Sequence, residues 1–134
     1  ITESAHVIVE SVTLEGIRTA QHRFSQGGLQ TALARHHGDK TERTFFAWTT
    51  TWLSEEFRQW SLLGLLPLIH CPLLAIQGRE DQYGTSRQAE IIAESAPQAQ
   101  TALLDACGHT PHREQEERVL PLMAEFIGRE VFSG

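Results

Sequence analysis

Two short loops hold the residue types best suited to chemistry. Gly78 to Thr85 reads GREDQYGT and presents Asp81; Cys107 to Glu114 reads CGHTPHRE and presents His109. Each follows an apolar, strand-like run, and a helical segment lies between them. In open parallel sheets, reactive groups gather beyond the carboxyl ends of the strands. Neighbouring strands lie about 4.8 Å apart, so the two loops can meet. A carboxylate accepting the Nδ1 proton of His109 would fix the imidazole's tautomer and leave Nε2 as a general base. Taken singly, an Asp in a turn is usually a turn former, and a His after Gly is usually a loop residue. The joint placement, each behind a strand and a glycine, is what points to chemistry. Gly78 and Gly108 permit the tight exits this needs. The nucleophile is missing. None of the serines (Ser4, Ser11, Ser25, Ser54, Ser61, Ser86, Ser95, Ser133) stands in a Gly-x-Ser-x-Gly elbow.

The elements that must position these loops follow from periodicity. Ile1 to Ser4 reads as the end of a strand, and Ala5-His6-Val7 as the turn leaving it. From Ser11 the period becomes helical, with Leu14, Ile17, Gln21 and Phe24 on one side and Ser11 or Thr13 as N-caps. Gln26-Gly27-Gly28 breaks that helix. A second is expected over Leu29 to His37, with Leu29, Leu33 and His36 together. A third spans Thr41 to Trp52, with Phe45, Trp48, Thr49 and Trp52 on a stripe. Ser54-Glu55-Glu56 reads as the cap and first turn of a short helix that ends near Trp60. Pro72 to Ile76 is a continuous apolar run, as for a strand covered on both faces. Ser86 to Ala96 is a helix with Ala89, Ile92 and Ala93 inward. Thr101 to Leu104 is a strand, and Arg113 to Arg129 the last helix, with Val119, Leu122, Met123 and Phe126 inward. Glu114, Glu116 and Glu117 suit its N-terminal dipole; Pro121 is a local fault within it. Strands alternating with helices imply parallel pairing through right-handed crossovers.

Composition sets the outer bounds. The 134 residues are about one domain's worth. With 40% hydrophobic and 21% charged residues, the chain has the makings of a packed globule. A net charge of −6 argues against nucleic acid and anionic membrane surfaces as partners. The longest apolar run, around Leu62 to Ile69, is interrupted by Gly64 and Pro67 and falls short of the ~20 residues of a membrane span. No basic-then-apolar leader opens the sequence. The opening Ile1, inside a strand-like run, suggests a start within a longer protein; a processed terminus is the alternative. Cys71 begins one strand and Cys107 follows the next, so parallel pairing puts them at opposite ends. Such a strand spans ~17–20 Å, beyond the ~7 Å reach of a disulfide. Both are expected as reduced thiols of a cytoplasmic protein.

The segment from Cys71 to Ile127 resembles the last third of an α/β-hydrolase-fold enzyme. Gly78-Arg79-Glu80-Asp81 matches that family's Gly-x-x-Asp after its seventh strand. Gly108-His109-Thr110-Pro111-His112-Arg113-Glu114 matches its Gly-His-x-Pro-x-x-Glu after the eighth. The resemblance implies an α/β fold comprising strands six to eight of the parallel sheet with a helical cap insertion. Residues 1–10 would be the sixth strand and its exit loop, 11–66 the cap, and 67–134 the C-terminal core. The cap matches by position and helicity only. The family's nucleophile elbow and oxyanion hole lie in the first half of the fold, which this sequence does not contain. The implied partner is the missing N-terminal half, without which this piece should not turn over. Removing that half would bare the sixth strand's edge, so self-association through the sheet edge is expected.

The expected activity is cofactor-independent hydrolysis of a carboxylic ester or similar small-molecule acyl substrate. Asp81 and His109 are its catalytic pair, and His6, Trp48 and Trp52 are substrate-contacting candidates. His6 is as readily a surface loop residue, and the tryptophan stripe more readily the cap's own core. Relatives with an Asp or Cys nucleophile leave dehalogenase, epoxide hydrolase or carbon–carbon bond hydrolase open. A non-catalytic binding or assembly module is the rival of another class, and the intact acid and histidine weigh against it. No metal is expected, because His109 and His112 lack one-face helical spacing and a third ligand. Cys107 and His109 are too close on one turn to align as nucleophile and base. His36 and His37 read as a solvated helix end.

Overall fold

The apolar run after Pro72 becomes the central strand of a three-stranded sheet in the computed structural model, which describes residues 1–132; Ser133 lies outside the described residues. β2 (Leu73–Gly78) pairs in parallel with β1 (Thr2–Glu3) on one side and with β3 (Ala99–Leu104) on the other. The order is β1-β2-β3, with Thr2 opposite Ala75 and the β2–β3 register running from Leu73–Ala99 to Gly78–Leu104. All three strands therefore end on the same side, where Asp81 and His109 follow.

The alternation of β2 explains its continuous apolar composition. Ala75 packs with Val7, Leu66, Ala89, Ile91 and Ile92 on one face. Leu74 and Ile76 pack with Leu104, Cys107, Val119 and Phe126 on the other. A strand with cover on both faces has no polar side to show. Helix α4 (Arg87–Ser95) supplies the first cover and α6 (Glu116–Phe132) the second.

Two expectations for these helices need correction. Ala93 is exposed, and the buried stripe of α4 is Gln88, Ala89, Ile91 and Ile92. With about 100° per residue, a stripe centred on 88–92 turns Ala93 outward. The last helix is also not one element from Arg113. A short α5 (Pro111–Glu114) precedes α6, because Gln115 leaves helical geometry at φ −137° and ψ 52°. Its side-chain amide instead donates to the carbonyls of Asp105 and Ala106, at 2.8 and 3.1 Å. Glu116 and Glu117, without Glu114, form the acidic first turn of α6, which continues through Pro121.

The chain divides into two compact units. The sheet belongs to Ile1–Ile8 and the residues from Ser61 on, and Val9–Trp60 form the second. The second unit contains α1 (Ser11–Ser25), α2 (Gly28–His37) and α3 (Thr41–Leu53). Its core is Ala20, Phe24 and Phe45, joined by Leu29 and Leu33. Phe24 and Phe45 stack with centroids 4.0 Å apart. Gly27 makes the turn between α1 and α2 at φ +84°, a conformation costly for a residue with a Cβ. Ser54 caps the turn at Glu56–Gln59, accepting from the Phe57 amide at 3.3 Å.

The expected caps of α1 are not used. Ser11 is already its first residue, and no side chain caps it. Thr13 is buried with Ile17, Ala20 and Phe24, so Leu14 and Gln21 flank the inward stripe. Gln21 donates to Thr49 at 3.1 Å. In α2, His36 is exposed and does not share the packing of Leu29 and Leu33. Both cysteines are free thiols, Cys71 exposed and Cys107 buried. Among the described residues, no helix is long and apolar enough to cross a membrane.

Candidate active site

The two loops are held together by backbone before any side chain takes part. The Arg79 amide donates to the Leu104 carbonyl and the Glu80 amide to the Cys107 carbonyl, both at 2.9 Å. This lacing brings the backbones so close that a Cβ on Gly78 would meet the carbonyl oxygens of Cys107 and Gly108. Ala106, at φ +52°, makes the turn that carries the second loop back. Arg79 also pairs with Asp105 at 2.8 Å, but both are exposed and the pair adds little.

Asp81 has no solvent-accessible side-chain surface. One carboxylate oxygen accepts from the Tyr83 amide at 2.8 Å and the other from the Gln77 side-chain amide at 2.8 Å. Nδ1 of His109 lies 3.1 and 2.9 Å from the same two oxygens. Burial by itself pushes the carboxyl up. The bonds from His109, Tyr83 and Gln77, together with the charge of His109, outweigh it and hold Asp81 below its ordinary value near 3.8. A folded-state value below the unfolded one stabilises the fold above the unfolded value, and this is lost as pH falls through the folded value. Wild type is therefore expected to lead Asp81→Asn in urea midpoint at neutral pH, with the lead closing below about pH 4. A lead independent of pH would show that the carboxylate's charge contributes nothing to the fold.

Nδ1 of His109 faces an anionic acceptor, so the proton belongs on that nitrogen and the lone pair on Nε2. The ring is 38% exposed, and Tyr83 lies edge-on at 4.8 Å between centroids. Glu114 fixes the loop around it. Its carboxylate accepts from the amides of Gly108 at 2.6 Å and Thr110 at 2.9 Å. Those two backbone bonds, Thr110 first, hold Glu114 below the usual carboxylate range. The Glu of the second motif thus braces the loop on either side of the histidine. His112, one turn on, bonds Glu3 of β1 at 2.6 Å.

Of the sequence-predicted residues, the structure brings Asp81, His109 and His6 together. The His6 ring lies 6.4 Å from that of His109. A methyl group at Gly84 would come within 3.1 Å of His6 and 3.3 Å of Gln88. Trp48 and Trp52 belong to the helical unit. Trp48 is 37% exposed and meets Phe45 edge-on at 5.8 Å, while Trp52 packs with Phe57 and Trp60 at 5.0 and 5.7 Å. Cys107 is fully buried, and burial, then the charges of Glu114 and Glu3, push its thiol up. A thiol so placed is a poor nucleophile. Among the described residues, no three His, Cys, Asp or Glu side chains converge as a metal site.

Sequence reasoning missed the two buried glutamines. Gln88, fully buried on α4, accepts from the amides of Val7 at 2.7 Å and Ile8 at 3.2 Å and donates to the Ile8 carbonyl at 3.0 Å. It thereby holds the β1 exit that carries His6. Gln77 does the corresponding work for Asp81. The available signal was a polar residue closing an apolar strand run.

No family model and no curated protein sequence matches the chain. Several solved structures are similar to it. One is a serine hydrolase involved in carbazole degradation, at 17% identity and TM-score 0.65, covering 93% of this chain and 52% of that one. Another is an α/β hydrolase from a Medee basin deep-sea metagenome library, at 15% identity and TM-score 0.62, covering 94% and 54%. A third is the esterase RhEst1 from Rhodococcus sp. ECU1013, at 18% identity and TM-score 0.57, covering 92% and 50%. The chain spans about half the length of each. With its parallel three-stranded sheet, its covering helices and these likenesses, the chain has the fold of the C-terminal part of the α/β-hydrolases.

Proposed function

We propose that this chain is the C-terminal portion of a cofactor-independent α/β-fold hydrolase acting on a carboxylic ester or similar small acyl substrate. His109 takes the proton of a nucleophile supplied from outside this chain and returns it to the leaving group; Asp81 orients His109 and balances its charge. The observation that carries the reading is the approach of Nδ1 to both oxygens of an inaccessible carboxylate, at 2.9 and 3.1 Å. Solved structures of similar fold described as an esterase and a serine hydrolase favour ester chemistry. In this reading, residues 11–66 are the cap, His6, Trp48 and Trp52 contact substrate, and this stretch alone does not turn over.

The test is the full-length protein offered three substrates. Hydrolysis of a short-chain p-nitrophenyl ester, with a nitrophenol burst where the acyl intermediate accumulates, is the expected result. Turnover of a haloalkane or an epoxide in place of the ester would assign a carboxylate nucleophile and overturn the ester reading. Inertness toward all three, in folded protein with both loops intact, would reject it as well.

A further inference from the structure

We propose that Gln77 is a positioning residue that holds the Asp81 carboxylate as an acceptor for Nδ1 of His109. The inference rests on the function proposed above for its catalytic meaning, although its geometry stands independently.

Gln77 closes β2 and is 1% exposed. Its Nε2 donates to Asp81 Oδ2 at 2.8 Å and to the Gly84 carbonyl at 3.0 Å, with the Gly78 carbonyl at 3.3 Å. Three acceptors around one nitrogen settle which end of the amide faces them. A flipped amide would set its oxygen against two backbone carbonyls and a carboxylate. The donor aimed at Asp81 is therefore invariant, because it is oriented by backbone that cannot turn away.

The consequence falls on the acid–histidine bond. Oδ1 of Asp81 takes the Tyr83 amide and Oδ2 takes Gln77, so each oxygen has one fixed donor besides the imidazole. Rotating the carboxylate would break one of these two bonds, and protonating it would weaken them. That leaves His109 facing a pure acceptor, which keeps its proton on Nδ1 and its lone pair on Nε2. Gln77 also ties the start of the acid loop to Gly84 near its end, so the loop's shape and the acid's charge state depend on the same amide.

The experiment uses the full-length protein labelled with 13C at aspartate Cγ and 15N in histidine. Gln77→Met removes the donor at similar volume. It is expected to raise the Asp81 titration midpoint by about one pH unit, since a lost bond to a carboxylate is of that order. With the carboxylate less firmly held, the bond from His109 Nδ1–H to Asp81 should weaken, read as an upfield move of the Nδ1 proton in the 15N-edited spectrum, and kcat should fall about tenfold with KM unchanged. A folded Gln77→Met protein with unaltered Asp81 titration and an unmoved His109 Nδ1 proton overturns the inference, whatever happens to its stability. Should that variant fail to fold, Gln77→Glu decides. Its carboxyl would share a proton with Asp81, giving two titration steps moved apart. A single step at the wild-type position would overturn the inference equally. Both spectroscopic readouts are independent of turnover. If His109→Ala leaves ester hydrolysis intact, the proposed function fails while the role of Gln77 is still judged on Asp81.

Discussion

His109→Ala in the full-length protein is expected to lower kcat for ester hydrolysis by two to four orders of magnitude, with KM little changed. The ring is more than a third exposed and contributes little to the core, so the variant should fold. Asp81→Asn should cost about as much, on the order of 10⁴, by a different route. Three donors surround the carboxylate: the Tyr83 amide, the Gln77 amide and His109 Nδ1. An asparagine must set its own NH2 group against one of them. The Tyr83 amide cannot turn, and Gln77 is held by the Gly84 carbonyl. The strain is relieved when His109 moves its proton to Nε2, which removes the base. The 15N spectrum should therefore show the opposite tautomer in Asp81→Asn, alongside the loss of kcat. Wild-type turnover in either variant would mean that this pair is not the catalytic acid and base.

Gly78→Ala is expected to be the most destabilising single-methyl change in the sheet unit. The added carbon would meet the carbonyl oxygens of Cys107 and Gly108. Those are backbone atoms with no rotamer into which to escape, and the Cys107 oxygen is already held by the Glu80 amide. Overpacking of this kind costs about 3 kcal/mol, sometimes more, so Tm should fall by on the order of 10 °C. The control is Gly28→Ala, where nothing lies within 4 Å of the new carbon and the residue begins α2; no loss is expected, since Ala favours the helix. Calorimetry of the two variants side by side reads the difference. Equal melting points would show that the loops can separate without cost, and that the lacing does not hold Asp81 and His109 in place.

The parts of the molecule legible in the residues are those governed by local rules. The unbroken apolar run at Leu73–Ile76 declared a strand covered on both faces, and period-3.6 stripes declared α1, α3 and α6. The loops after β2 and β3 declared an acid and a histidine at matching strand ends, because strand length and a following glycine set where a side chain emerges. Pairs far apart in the chain were a different matter. Gln77 and Gln88 look like interruptions in a sequence, yet one is locked onto Asp81 and Gly84 and the other onto Val7 and Ile8, some 80 positions away. Thr13 sits in an interior position that hydrophobicity alone would assign to Leu14. The break at Gln115 follows from two carbonyls of a preceding loop that only the fold brings within reach.

Sequence alone thus determined the principal strands and helices and which two side chains could do chemistry, since both depend on neighbours a few residues away. Only the tertiary structure decided that the carboxylate is inaccessible, that each oxygen carries a fixed donor, and that the imidazole meets it through Nδ1. Those properties arise from the desolvation and hydrogen bonding that packing imposes, and no local pattern encodes them.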